Sequence, residues 1–268
     1  MSQLATLASI HVYPLKGARG IAPEHAEVLP QGIRHDRRFM LVGEDGAFLS
    51  QRAHPRLALV EVAIGAAELA IAASGSHANV PLAPEGPRRR VRVWDDDVDA
   101  IVVDGEASGL LSEHLGLRCS LVFMPDDIVR AVDPTYARPG DRVGFADGFP
   151  LLVAAQASLD DLNARLETPV PMNRFRPNLV IAGTEAWEEE RHAGARIGEL
   201  VVRMPKRCAR CTVTLVDQAT GERGKEPLRT LATFRAENAE VYFAQNAIPD
   251  QAGVVRVGDS VELLTRIA

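Results

Sequence analysis

Residues 38–50 read Arg38-Phe39-Met40-Leu41-Val42-Gly43-Glu44-Asp45-Gly46-Ala47-Phe48-Leu49-Ser50. Two short apolar runs flank Glu44-Asp45-Gly46, and Asp-Gly supplies the positive φ that a tight turn needs. The stretch predicts a hairpin, and the same pattern continues outward on both sides. Leu7 to Leu15 opens the chain as a strand. Leu57 to Ile64 and Glu68 to Ala73 form a second pair. Arg90 to Trp94 and Asp99 to Val103 form a third, around Asp95-Asp96-Asp97, a solvated tip rather than a metal site. Further strands are expected at Asn178 to Ala182, Leu200 to Met204, Cys211 to Asp217, Val241 to Gln245, Val254 to Val257 and Val261 to Thr265. Helical signals are few. Ala107 to Leu115 stops before Gly116, and Pro227 to Arg235 has proline in its first turn. Ser158 to Leu166 has Ser158 as its cap, with Leu159, Leu162 and Leu166 on one face. Many short strands and few helices predict a mainly β, barrel-like fold.

The chain has 268 residues and is 46% apolar, enough for one large domain or two closely joined ones and too apolar for long disorder. A boundary is expected near Met124-Pro125-Asp126-Asp127, dividing 1–124 from 125–268. Beyond it, Asp133 to Phe149 carries Pro134, Pro139, Gly140, Gly144 and Gly148, and a loop of that length is expected to be a flap over a site. The net charge of -6 argues against a general binder of nucleic-acid polymers. No run of about 18 apolar residues occurs, so no membrane-spanning helix is expected. Met1 to Ala5 lacks a basic segment followed by an apolar run, so no secretory leader is expected either. Together these readings predict a cytoplasmic protein.

The three cysteines are too few and odd in number for a disulfide framework. Cys119, inside Leu117 to Phe123, reads as a small core residue. Cys208 and Cys211 are different, because Lys206, Arg207 and Arg210 surround them and positive charge favours the reactive thiolate. A zinc site, a redox pair, a soft-metal ligand, a single nucleophile and two packed thiols all remain open on spacing alone.

Cations gather at three other places. Lys16 and Arg19 follow a strand end in Tyr13-Pro14-Leu15-Lys16-Gly17-Ala18-Arg19-Gly20, where exposed amides and a lysine can cradle an anion. Arg34, Arg37 and Arg38 fall in Gly32 to Phe39. Arg37 and Arg38 alternate sides, so one faces inward and needs Asp36 or an anionic ligand as partner. Arg174 and Arg176, in Asn173-Arg174-Phe175-Arg176-Pro177-Asn178, have period-two spacing. They are expected to point the same way and to grip a phosphate, a carboxylate or an oxygen-rich ring.

These segments, in this order, closely resemble the MOSC-domain proteins that carry an N-terminal MOSC β-barrel domain. That group contains the mitochondrial amidoxime-reducing component and bacterial N-hydroxylated-base reductases. The resemblance rests on Tyr13-Pro14-Leu15-Lys16, Asp36 to Met40, Gln51-Arg52 with Pro55, Ala157 to Leu162, Phe175 to Asn178, Cys208 to Cys211, Thr220-Gly221 and Gly258-Asp259. It implies a molybdenum cofactor, a pterin dithiolene with a terminal phosphate, ligated by the second cysteine, Cys211. Lys16, Arg37 and Arg176 fall on cofactor-contacting basic positions, and Gly17, Arg174, Asn178, Cys208 and Arg210 complete the candidate binding set.

The implied activity is reduction of N-hydroxylated small molecules, such as hydroxylaminopurines or amidoximes. Two positions depart from the pattern. Gly17 stands where relatives often have a phosphate-binding serine, and Ala155-Gln156 where they can carry hydroxyl or acidic side chains. The chain ends soon after Leu264, without the ferredoxin domain of some bacterial relatives. Its iron–sulfur cluster is therefore not expected, and a separate electron donor, a flavoprotein or a ferredoxin, is. The alternative is a cofactor carrier or sulfur-transfer module. MOSC domains also follow the desulfurase domain of cofactor sulfurases, but no lysine motif here suggests pyridoxal phosphate. A third reading is an anion-binding barrel without catalysis.

Overall fold

In the computed structural model, residues 5–265 are described, and the leader-peptide reading of Met1 to Leu4 lies outside them. Among the described residues the architecture is mainly β, with three short α-helices: α1 (Glu106–Leu115), α2 (Gln156–Asn163) and α3 (Leu228–Leu231). No helix among the described residues is long and apolar enough to cross a membrane.

Phe39–Val42 is a strand, as its sequence predicts, and all four residues are buried. Its return arm is slight. Val42 bridges Phe48, and Leu49 N–H reaches Leu41 O at 2.8 Å. The long ladder forms instead with Ser120–Phe123, where Phe39 pairs Phe123 and Val42 pairs Ser120. Residues apolar on both faces favour a strand with cover on both sides, and a distant partner provides that better than the short Ala47–Leu49 arm. Arg88–Val93 and Asp96–Val102 complete this four-stranded sheet. Glu61–Ile64, Glu68–Ala73 and Ser76–Pro81 form a neighbouring meander, and helix α1 packs between the two sheets.

The second sheet is larger and mixes the two ends of the chain. Its order is Thr6–Ile10, Leu179–Ala182, Leu151–Ala155, Glu240–Pro249, Leu200–Ala209, Gly194–Ile197 and Val261–Leu264. An antiparallel bridge between Thr6 and Ser260 joins the two outer strands, so the sheet nearly closes into a barrel. Closure pairs most of the edge groups that an open sheet leaves exposed. Leu7, Ile10, Val12, Val28 and Ile33 therefore share one core with Leu151, Val153, Leu179, Ile197 and Val202. His25–Leu29 also pairs with Gly253–Arg256. Leu7 to Ile33 are thus built into the same core as the C-terminal strands.

Several local expectations are corrected. Pro55–Leu59 is a 3-10 turn, so the Leu57 strand starts only at Glu61. Thr212–Leu215 is also a 3-10 turn rather than the start of a strand at Cys211. Its threonines suit a strand, but the Thr214 hydroxyl and N–H both donate to Cys211 O, at 3.0 and 3.2 Å, which stabilises the turn instead. Ser158 does not cap α2. The helix starts two residues earlier, and the buried Ser158 hydroxyl donates at 2.9 Å to Glu189, whose Oε1 also accepts the Ala155 N–H at 3.3 Å. Helix α3 spans four residues, shorter than the predicted Pro227 to Arg235. Cys119 lies one residue ahead of its strand, half-buried, with its Sγ 3.4 Å from the Ser112 hydroxyl.

Candidate active site

A cavity of about 150 Å³ opens where the barrel strands meet the loops of the N-terminal part. Its wall brings together Lys16, Gly17, Arg37, Arg176, Asn178 and the segment Cys208 to Cys211. Eight of the nine candidate residues therefore line one space, drawn from four separate stretches of sequence.

Arg174 is the exception. It lies in the 3-10 turn Met172–Arg174, and Arg176 has φ +55, so the period-two assumption behind their shared direction fails. Arg174 points away from the cavity wall. Its Nε donates to Thr214 O at 2.8 Å, its Nη2 to Glu226 O at 2.9 Å, and its Nη1 lies 3.5 Å from Asp217. It holds the loop that follows Cys211. Arg176 takes the opposite course and donates to Ala18 O at 2.8 Å beneath the cavity.

Arg37 and Arg38 do diverge, but not by strand alternation, since the strand begins only at Phe39 and Arg37 adopts φ +45 just before it. Arg38 is equally covered but takes other partners, Met124 O, Asp126 and the Phe123 ring. Arg37 turns inward, to Asp36 at 2.6 Å and Asn178 Oδ1 at 3.0 Å. Asn178 Oδ1 also accepts the Leu152 N–H at 3.2 Å, which ties the cation to the barrel wall. The Tyr13 ring lies between the two inward arginines, 4.4 Å from Arg37 and 4.2 Å from Arg176. Its hydroxyl donates to Pro177 O at 3.0 Å, and burial pushes its pKa up to about 12. Burial also pulls Arg176 down to about 10, which keeps it charged at neutral pH.

Lys16 is buried, and its ammonium donates to Phe145 O at 2.7 Å and to Asp147 at 2.5 Å. Burial lowers its pKa, with Asp147 opposing. The surrounding protein works to raise the Asp147 carboxyl, but Lys16 outweighs it. Together with the Trp94 indole N–H and Arg37, it holds Asp147 below the ordinary carboxylate range. Asp147 belongs to the loop read as a flap, and Ala146 to Phe149 do border the cavity. Arg130 pins that end of the loop through the carbonyls of Gly144, Ala146 and Asp147.

Gly17 sits at φ +85, a conformation that strains any other residue, and a Cβ there would stand 3.2 Å from Leu57. The backbone thus explains glycine at this position without reference to a ligand. Cys208 is half-buried, and desolvation raises its thiol pKa while Arg210, donating to the sulfur at 2.8 Å, pulls it back. Cys211 is half-buried at the start of the Thr212–Leu215 turn. Arg210 also donates to Phe175 O at 2.7 Å, and its buried Nε has no partner among the described residues.

Residues not singled out as candidates, Gln51 and Arg52, join the wall and are held by neighbours behind it. Arg52 stacks on Trp94 at 4.0 Å. Gln51 and Gln218 exchange reciprocal amide hydrogen bonds at 3.1 Å, and Gln51 also donates to Gly17 O at 2.6 Å. These amides carry no charge signal in the sequence, and Gln51 and Gln218 are 167 residues apart. Lys16, Arg37, Arg52, Arg176 and Arg210 face the cavity against one lining carboxylate, Asp147, so the space is strongly positive. It can take an oxygen-rich anion, with two thiols at its wall.

The chain matches known proteins along nearly its whole length. Residues 4–118 match the MOSC N-terminal beta barrel domain, and residues 140–262 match the MOSC domain. The chain is 32% identical to mouse mitochondrial amidoxime-reducing component 1 over 98% of its length and 84% of that protein's. Human mitochondrial amidoxime-reducing component 1 and human mitochondrial amidoxime reducing component 2 are each 29% identical, over 98% and 97% of the chain and 84% of each protein. The chain belongs to the family of MOSC-domain proteins with an N-terminal MOSC β-barrel, the family of the mitochondrial amidoxime-reducing components.

Proposed function

We propose that this protein is a molybdenum-dependent reductase that removes oxygen from N-hydroxylated small molecules, such as hydroxylaminopurines and amidoximes. Electrons come from a separate flavoprotein or ferredoxin. The observation that carries this reading is the joining of Cys211 to a cavity lined by Lys16, Arg37, Arg52, Arg176 and Arg210. The names of the relatives support N-hydroxy reduction as the reaction class.

The residues present fit the implied cofactor. A phosphate-bearing, oxygen-rich pterin needs several cations, and burying those cations without an anion is costly. The buried, unpartnered Arg210 Nε fits an acceptor supplied from outside the chain. A soft metal centre needs a thiolate, and Cys211 offers one. When bound, the cofactor supplies the two-electron redox centre at which the N–O bond is cleaved.

The chain's own residues position and protect. Cys211 would supply the thiolate ligand. Arg37 and Arg176, fixed on either side of Tyr13, present two guanidiniums whose directions are already set, so little side-chain entropy is lost on binding. Gly17 can contribute only its backbone. Asp147, ionised at neutral pH, holds the Lys16 ammonium in place, and the proton at this point of the wall sits on Lys16 Nζ. Phe48, Leu152, Phe149 and Phe175 supply the apolar part of the wall, which excludes water from the reacting atoms.

The test is molybdenum content and oxidised-pterin fluorescence of the wild type beside Cys211→Ser and Cys208→Ser, followed by reduction of a model amidoxime with a chemical electron donor. The expected result is cofactor in the wild type and in Cys208→Ser, metal lost from Cys211→Ser, and turnover only where the metal is kept. Equal molybdenum in wild type and Cys211→Ser sinks the ligand assignment. Loaded protein that reduces no N-hydroxylated compound leaves the carrier reading in place of the enzyme.

A further inference from the structure

A second cavity, of about 690 Å³, lies beside the strand that carries the cysteine segment. Cys208 and Ala209 line the first cavity, whereas Lys206 and Arg207, the two residues before them, line the second. Three observations mark it as more than a surface hollow.

The first is a set of buried polar atoms without partners. Gln245 is 3% exposed and the Glu190 side chain 7%, yet Gln245 Oε1 and Glu190 Oε1 accept no hydrogen bond among the described residues. His192 Nδ1 is likewise unpartnered there. Glu190 gives only its other oxygen to Arg235. Buried acceptors are almost always satisfied, so the Gln245 oxygen points to a donor from outside the chain, whereas Glu190 Oε1 stands beside the equally unpartnered Arg235 Nε.

The second is a pair of aromatic–cation stacks. The Lys206 ammonium lies 4.9 Å from the Tyr136 ring, and the Arg207 guanidinium 4.2 Å from the Tyr242 ring. Aromatic rings and guanidinium planes of this kind are platforms for a further planar group. The third is charge. Arg207 is neutralised by Glu237 and Glu190 by Arg235, which leaves Lys206 and Arg191 with no direct ion pair among the described residues.

We propose that this cavity binds a planar ring with N–H donors that carries an anionic group, the chemistry of a purine nucleotide. A guanine edge offers an N–H donor to Gln245 Oε1, with a small side-chain adjustment that uncovers it, and a second to Glu190 in competition with Arg235. The ring lies against the tyrosine–cation stacks. The phosphate meets Lys206 and Arg191. The site is independent of the reductase reading, since it uses none of the residues of the first cavity.

Isothermal titration of the full chain with GMP, guanosine and inorganic phosphate tests it. GMP is expected to bind once per chain, and guanosine and phosphate each at least tenfold more weakly, because each makes only part of the contacts. Lys206→Ala and Tyr136→Ala, neither of them core residues, should each weaken GMP about tenfold, while Arg176→Gln leaves it unchanged. No binding of GMP at millimolar concentration overturns the proposal. So does phosphate binding as tightly as GMP, which marks a simple anion site. GMP binding lost in Arg176→Gln but kept in Lys206→Ala also overturns it, by placing the nucleotide in the first cavity.

Discussion

Arg37 donates a hydrogen bond through Nη2 to the backbone carbonyl of Arg176 at 3.2 Å, across 139 residues of sequence. Both residues adopt positive φ, and both guanidiniums face the ring of Tyr13. Two like charges are thus held at one wall by a shared aromatic ring, main-chain carbonyls and Asp36. Such an arrangement is most stable when an anion lies in front of it.

Tyr13 is therefore expected to matter for binding as well as for stability. Tyr13→Phe keeps the ring and loses only the hydroxyl's bond to Pro177, a cost of about 1 kcal/mol. Tyr13→Leu removes the surface that both arginines share and should cost about 3 kcal/mol. Urea unfolding measures both, and equal losses would show that the ring itself contributes nothing.

Arg174 and Arg176 should separate cleanly. Arg176→Gln is expected to lose cofactor while staying folded, because its charge faces the cavity. Arg174→Gln is expected to keep cofactor but lose about 2 kcal/mol of stability, as buried carbonyls at Thr214 and Glu226 are left without donors. Molybdenum analysis paired with thermal unfolding distinguishes them, and the reverse pattern would contradict the placement of both side chains.

Gly20→Ala should be destabilising although the residue lies outside the cavity wall. An added Cβ would stand 2.5 Å from Cε1 and 2.7 Å from Cδ1 of the Tyr13 ring. Moving a ring held between two arginines costs about 1–3 kcal/mol. In a Tyr13→Leu background the cost should shrink. An unchanged cost there would show that the clash is with something other than the ring.

Glu189 gives a pH signature. Burial raises its carboxyl from 4.5 to about 7, while Ser158 and backbone N–H groups work against the rise. Between those values the folded protein holds a proton that the unfolded chain has released. Stability must therefore fall as pH rises from 4.5 towards 7, with the full penalty, about 3 kcal/mol at most, felt above 7. Glu189→Gln keeps the acceptor for Ser158 without the titration. Unfolding curves across this window should show the wild type losing ground to the variant, and a constant difference would rule the carboxyl out as the source.

Local features were legible where local physics decides them. Helix α1 ends at Gly116, which takes φ +71, as its glycine predicts. Arg37 and Arg38 part company through the positive φ of Arg37, which adjacency in sequence does not show. Ser158 misled because a serine ahead of leucines looks like a cap, while the carboxylate that claims its hydroxyl, Glu189, comes 31 residues later. Arg174 misled because period-two spacing holds only in extended chain, and a 3-10 turn with φ +55 at Arg176 ends that extension.

By itself, the sequence determined the β-rich character of the chain, the basic surroundings of the cysteine segment and the family to which these motifs belong. These follow from short-range composition and from motifs carried in order along the chain. Tertiary structure alone decided which distant strands pair, Phe39–Val42 with Ser120–Phe123 and Thr6–Ile10 with Leu179–Ala182. It also decided which cations share a cavity with Cys211. Pairing and burial depend on cover supplied from far away, and no local window of sequence contains that information.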